Sequence, residues 1–340
     1  MKYIPTLKYK ERVDIKAYRG LSEKLQSDIT PLIEVFQPEK IELGKMKENE
    51  KFFINLGYDL TFLEYVEALE SIRKTHPNAI PVINSNHYFN SLSKKELVGA
   101  VKKLNELNFQ ELAVKINNIH NFYVQDQMEL ALIMLDKIES ATFFLDVDYA
   151  YKIPSVDRLK NIFTNTIDRL KSMIGDGINK FVLCGSIVPI QSSSFLSYED
   201  EESDNNIGAN NIENILYRAY RNMLNGNGEL ELYYSDYTID EKNTLLDDNV
   251  IITTFYPVVK YTIEDGDIMV FKSSGRREFS KYPEIAQKIS SMIEFRGEEH
   301  CEGCRYLKNI SDGRNNTGTP ATWKLNMITH HIATMAELLK

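Results

Sequence analysis

Thr142-Phe143-Phe144-Leu145-Asp146-Val147-Asp148-Tyr149 packs β-branched and aromatic side chains around two aspartates set two positions apart. A run this short and apolar reads as a buried strand. Side chains alternate across a strand, so Asp146 and Asp148 share the face of Phe144. If Phe144 points into an apolar interior, the strand ends by presenting carboxylates at its exit.

Seven other segments repeat this pattern: Tyr3–Lys10, Thr30–Phe36, Phe52–Asp59, Ile80–Asn86, Leu112–Asn117, Phe181–Val188 and Leu230–Tyr237. Between them lie segments with apolar residues at helical spacing: Phe62–Lys74, Lys94–Leu107, Asp126–Ile138, Val156–Ile174 and Ile212–Leu224. Ser93 with Glu96 forms a capping-box pattern, and Gly175-Asp176-Gly177 gives a clean helix stop. Gln37–Lys51 is polar and reads equally as helix or loop.

Eight alternating units in about 240 residues suit an α/β fold of the (β/α)8 TIM type. An open doubly wound sheet is the competing topology, although no glycine-rich phosphate fingerprint follows an early strand. The expected organisation is a barrel over residues 1–245, with residues 246–340 packed on it as a C-terminal β-hairpin and helical extension. In that extension Ile251–Lys260 and Asp267–Lys272 read as strands about the turn Glu264-Asp265-Gly266. Tyr282–Phe295 reads as a helix, Gly297–Pro320 as a glycine- and asparagine-rich loop, and Trp323–Leu339 as a closing helix. Gln191–Asn211 reads as a mobile loop over the exit of the seventh strand.

The parity that places Asp146 applies to the other strands. Glu34 follows Leu32, Asp59 follows Phe53, Asn84 follows Val82, and Lys115 follows Ala113. Ser186 follows Val182, and Asp236 follows Leu232 and Tyr234. With Lys8, Asp146 and Asp148 these residues converge on one mixed-charge pocket at the strand exits, the end where barrel enzymes hold their active sites. Carboxylates beside lysine suit a divalent cation such as magnesium together with a phosphorylated or polyhydroxylated ligand. The plainer reading is a solvated, salt-bridged rim. A one-residue register slip would turn any of these side chains to the helices instead.

No Gly-x-Ser-x-Gly elbow or HExxH motif occurs, and no histidine falls on the inward parity, so serine-hydrolase and zincin chemistry are poor fits. His300-Cys301-Glu302-Gly303-Cys304 followed by His330-His331 has the ligand types of a zinc site, using His300, Cys301, Cys304 and one of the paired histidines. Neighbouring helical residues point about 100° apart, so both histidines cannot ligate. Unmetallated thiols in a loop are the alternative. Trp323, the single tryptophan, either anchors the closing helix or walls the pocket beside His330 and His331.

The chain has 340 residues, 43% hydrophobic and 26% charged, with a formal net charge of −9. That excess of acid argues against general nucleic-acid binding. No stretch has the apolar length of a membrane span, and the opening residues lack a signal-peptide pattern. Three cysteines without framework spacing fit a reducing compartment, so a cytoplasmic location is expected.

Tyr3-Ile4-Pro5-Thr6-Leu7-Lys8, Ile29-Thr30-Pro31-Leu32-Ile33-Glu34-Val35, and Gly318-Thr319-Pro320-Ala321-Thr322-Trp323-Lys324 with His330-His331-Ile332 resemble the bacterial and phage Beta protein family. The resemblance spans essentially the whole chain and highlights Lys8, Glu34, Trp323, His330 and His331. It implies a part in anti-phage defence by gene-neighbourhood analogy, with a partner such as a nuclease encoded nearby. Three functions therefore stand as expectations: a protein binding or processing a small phosphorylated or nucleotide-like ligand, a non-catalytic module docking on an effector, and a metabolic hydrolase or lyase.

Overall fold

A computed structural model describes residues 2–9, 13–35, 46–57, 60–89, 93–121, 125–189, 207–225, 230–240, 242, 256–273 and 279–340. The strands are β1 (Thr6–Lys8), β2 (Leu32–Val35), β3 (Phe52–Leu56), β4 (Ala79–Asn84), β5 (Ala113–Asn117), β6 (Thr142–Tyr149), β7 (Lys180–Ser186), β8 (Ile207–Ile212), β9 (Glu231–Asp236), β10 (Val258–Thr262) and β11 (Ile268–Ser273). The helices are α1 (Val13–Arg19), α2 (Glu23–Asp28), α3 (Phe62–Thr75), α4 (Ser85–Phe89), α5 (Lys94–Glu106), α6 (Asp126–Ile133), α7 (Val156–Ile174), α8 (Ile215–Leu224), α9 (Tyr282–Ser290), α10 (Glu302–Ser311) and α11 (Pro320–Leu338).

Eight strands pair in parallel in the order β1-β2-β3-β4-β5-β6-β7-β9. The circuit is completed across the β9–β1 seam, where the Ile4 N–H donates to the Tyr234 carbonyl at 2.9 Å and the Tyr234 N–H to that of Lys2 at 2.8 Å. The sheet is thus a (β/α)8 barrel.

Its interior floor is a separate apolar cluster of Ile4, Leu32, Phe53, Ile80, Val82, Ala113, Phe144 and Val182, with Tyr233 packed against it. The opposite parity, Ile33, Ile54, Ile83, Val114, Leu145 and Leu183, faces the helical layer. Both faces of each strand are covered, as a parallel barrel requires. The caps behave as their residue types dictate: Thr61 with Glu64 forms a complete capping box on α3, and Ser93, Ser155 and Thr319 cap α5, α7 and α11.

Several expectations change. Strand β4 ends at Asn84, because α4 begins at Ser85 and packs His87 and Tyr88 against α3. Residues 207–212 are not loop but strand β8, which pairs antiparallel with β11 and extends the β10–β11 hairpin to three strands; α8 accordingly starts at Ile215. The hairpin turns at Gly266, whose φ of +75° suits glycine. Gly297–Pro320 is not all loop, since it contains α10. The remainder of the 191–211 loop, residues 251–255 of the first hairpin strand, and Asp59 lie outside the described residues.

Candidate functional site

The strand exits carry a buried ion-pair network. Lys115 on β5 pairs with Glu34 on β2 and lies 3.1 Å from Asp146 Oδ2 on β6. All three are essentially inaccessible, at 0%, 1% and 0% exposure. Tyr237, immediately after β9, bridges them: its hydroxyl accepts from Lys115 Nζ at 2.8 Å and donates to Asp146 Oδ2 at 2.9 Å. Lys242 Nζ reaches Asp146 Oδ2 at 2.7 Å and also pairs with Asp148. The carboxylate pair that suited magnesium therefore already shares a lysine ammonium.

Burial alone would raise the Asp146 carboxyl, but Lys242 and Lys115 outweigh it and hold the group well below the usual carboxylate range. Burial likewise opposes the charge on Lys242, yet Asp146 and Asp148 raise it above the ordinary lysine value. Beside them burial, then Asp146, pushes the Cys184 thiol upward, so this cysteine is a neutral, inert wall.

The backbone is bent to serve this end of the barrel. β6 changes register against β7 after Asp146, and Asp148 sits at φ +61° with its N–H donating to Asp146 Oδ1 at 2.8 Å. Thr238 at φ +56° turns the chain after β9 so that Asp240 and Lys242 fold back over the mouth. A β-branched residue in the left-handed region is strained by about 1–3 kcal/mol, and such strain clusters at functional sites.

A second charged group forms the rim. Lys324, near the start of α11, lies 2.8 Å from Asp240 Oδ2, and Lys8 lies 3.9 Å from the same oxygen. Asp14 accepts the Lys8 N–H at 2.9 Å, and burial, then Asp240, pushes its carboxyl up to about 6 against the pull of Lys324 and Lys8.

Around the remaining arc, Asn55 Nδ2 donates to Glu34 Oε1 at 3.3 Å, and Asn117 Nδ2 donates to Asn84 Oδ1. Ser186 donates to the Val188 carbonyl at 3.1 Å. Four atoms here, Glu34 Oε2, Asn55 Oδ1, Asn84 Nδ2 and Asn117 Oδ1, are buried without a hydrogen-bond partner among the described residues.

Of the residues expected in the pocket, Lys8, Glu34, Asn84, Lys115, Asp146, Asp148 and Ser186 lie at this mouth. Asp236, His330, His331 and Trp323 do not. On β9 the inward parity is Tyr233, Ser235 and Tyr237, whereas Leu232 and Tyr234 join the outer core. Asp236 therefore points outward, where Tyr3 donates to it at 3.0 Å and His331 Nε2 lies 3.1 Å away. His331 Nδ1 meets Thr262 Oγ1 at 2.8 Å, which ties the barrel seam to the hairpin beneath α11. Trp323 stacks on Tyr282 at 4.8 Å and donates to the Thr317 carbonyl at 2.8 Å, anchoring α11. Tyr237, Lys242, Asp240, Lys324, Asn55 and Asn117 were missed. Only Asn55 and Asn117 had a signal, since they share parity with Phe53 and Lys115.

His330 faces the opposite way from His331, towards Cys301 and Cys304. Hydrogen bonding from Cys304, opposed by burial and aided by His330, pulls the Cys301 thiol down to about 4.

A family model described as Beta protein matches residues 3–337. No curated protein matches the chain. Among solved structures, the biosynthetic arginine decarboxylase SpeA of Campylobacter jejuni is similar at a TM-score of 0.42 and 10% identity, over 99% of this chain and 55% of that one. That likeness bears on neither activity nor substrate. Among the described residues, no helix is long and apolar enough to cross a membrane.

Proposed function

We propose, from the premise that this chain belongs to the Beta protein family, that it binds a small phosphorylated or nucleotide-like ligand at the barrel mouth and works in anti-phage defence. The observation that carries the binding reading is the set of four buried atoms on the neighbouring strands β2 to β5 that have no hydrogen-bond partner among the described residues. An unmet buried polar atom costs about 1–3 kcal/mol, so four together describe a surface built for a polar guest. Three of them are acceptors, which suits a ligand offering hydroxyl or N–H groups, such as a ribose or a base edge. The phosphate would sit across the mouth near Lys8 and Lys324, where two ammonium groups share Asp240. The defence role rests on the family resemblance.

The test is to denature the purified chain and identify any small molecule released, then to titrate nucleotides and sugar phosphates by calorimetry. Binding is expected, weakened about tenfold or more by Asn117→Ala or Lys324→Met, each of which leaves the central ion pairs in place. Cells expressing the chain should plate phage less efficiently than cells expressing Lys324→Met. No released molecule and no binding in the panel would sink the ligand reading.

A second reading, a non-catalytic module that docks on an effector, draws on the Lys115–Glu34–Asp146 cluster, whose one ammonium is paired with both carboxylates in full burial. On that reading defence survives every mouth substitution that leaves the chain folded.

A further inference from the structure

The helical extension holds a cluster that the barrel mouth does not use. Cys301 caps the N-terminus of α10, its sulfur accepting the Cys304 N–H at 3.4 Å. His330, on α11, directs Nδ1 at both thiols, 3.2 Å from Cys304 Sγ and 3.8 Å from Cys301 Sγ. His300 completes the group: one ring nitrogen, Cys301 Sγ and a ring nitrogen of His330 lie within 4.8 Å of one another.

We propose that Cys301, Cys304, His330 and His300 form a tetrahedral site for a single zinc ion. Zinc–sulfur bonds of about 2.3 Å and zinc–nitrogen bonds of about 2.05 Å place tetrahedral S and N ligands about 3.6 Å apart. The two S–N distances, 3.2 and 3.8 Å, bracket that value.

The surroundings are those of a metal ligand shell. His330 Nε2 bonds the Thr262 carbonyl at 2.8 Å, and a carbonyl can only accept, so the ring proton sits on Nε2 and the Nδ1 lone pair faces the sulfurs. The Tyr261 ring stacks on His330 at 4.1 Å, with its hydroxyl 3.7 Å from Cys304 Sγ. His300 is braced by Thr334, Nε2 to Oγ1, at 3.2 Å. Cys304 and His330 are buried while His300 and Cys301 are half-buried, which leaves a route for the ion from the surface.

Gly303, between the cysteines, is the condition for this approach. A Cβ there would stand 2.1 Å from the Asn326 carbonyl oxygen and 3.0 Å from His330 Cβ, so only glycine lets α10 press its first turn against α11. The ion would join α10, α11 and the loop before α10, beside the hairpin strand β10. Cys304 Sγ meets His330 but stands outside the group of three, so the ion would draw it in to complete four protein ligands, the pattern of structural sites and not of catalytic ones.

The full chain, purified reduced and without chelator, is expected to carry about one zinc per molecule by elemental analysis. Exchange with Co2+ should give an intense thiolate-to-cobalt charge-transfer band and the visible bands of tetrahedral cobalt. Both should vanish in the Cys301→Ser/Cys304→Ser variant. Should that variant fail to fold, His300→Gln keeps three ligands and is expected to weaken cobalt binding about tenfold or more. Chelation should expose two thiols to alkylation while buried Cys184 stays protected. Absence of both zinc and a charge-transfer band in the wild-type chain overturns the proposal, as does full zinc content in the double serine variant or a Cys301–Cys304 disulfide in the purified protein.

Discussion

Replacing Lys115 by methionine keeps the length of its stem and removes the ammonium on which Glu34 and Asp146 converge. Glu34 is 1% exposed and Asp146 0%, so neither carboxylate can recruit bulk water to replace the lost charge. Removing one partner of a buried pair costs about 3–5 kcal/mol. A domain holds only about 5–15 kcal/mol in total, so the variant should be severely weakened yet measurable by urea unfolding. The loss should also depend on pH, with a definite sign. In the native chain Asp146 is held below its ordinary value, so its stabilising contribution is present above about pH 4 and disappears as the pH falls through the folded value. In Lys115→Met Asp146 keeps Lys242 but loses its second cation, so its carboxyl is held down less firmly and contributes less stability above about pH 4. The deficit should therefore be largest at about pH 7 and smaller at about pH 3, where protonation removes the contribution from both chains. Adding Glu34→Gln should recover about 1–3 kcal/mol as coupling between the two sites. A loss below about 1 kcal/mol, equal at both pH values, would show a solvated cluster worth no more than a surface salt bridge and would refute the account of the mouth given above.

Two further outcomes follow from single residues. His87, between α3 and the exit of β4, is pushed by burial down to about 4 despite hydrogen bonds to the Gly57 and Leu56 carbonyls. The unfolded chain, with an ordinary histidine value of about 6.5, binds the extra proton first, so stability should climb by about 3 kcal/mol as the pH rises from about 4 to 6.5; His87→Gln should flatten that part of the profile. Thr238→Gly removes a β-branched residue from φ +56° along with a buried hydroxyl that has no hydrogen-bond partner among the described residues. It should raise the urea midpoint by about 1 kcal/mol of stability, and a fall in the midpoint would mean that the Thr238 conformation is not strained.

The sequence carried most of the barrel because β2 to β7 each place an apolar residue on the inward parity before a polar one: Leu32 before Glu34, Ala113 before Lys115, Phe144 before Asp146. On β9 that rule has nothing to grip. Leu232, Tyr233, Tyr234 and Tyr237 are apolar or aromatic on both faces, and the choice of Leu232 and Tyr234 as inward sent Asp236 to the wrong side. Lys242 and Lys324 reach the mouth through the turn at Thr238 and the placement of α11, which no local periodicity encodes. Strand β8, Ile-Gly-Ala-Asn-Asn-Ile, has little strand propensity of its own and exists because β11 offers it an edge. The helix α10 was hidden by the glycines and asparagines around it, although Cys301 as its cap and Leu307 and Ile310 on its buried face were there to be read.

The seam between β1 and β9 gives the chain an order of assembly. Tyr3 and Tyr234 meet there, and Asp236 behind them is held by His331, some ninety-five positions along the chain. A ribosome that has released only residues 3–242 presents a sheet whose joint is covered in part, because Tyr217 and Tyr220 of α8 already pack on Tyr234, while Asp236 has not yet met His331. Until residues 320–338 emerge and settle, that joint is where the ring would open, and a chaperone or a protease meeting the nascent protein would find its purchase there.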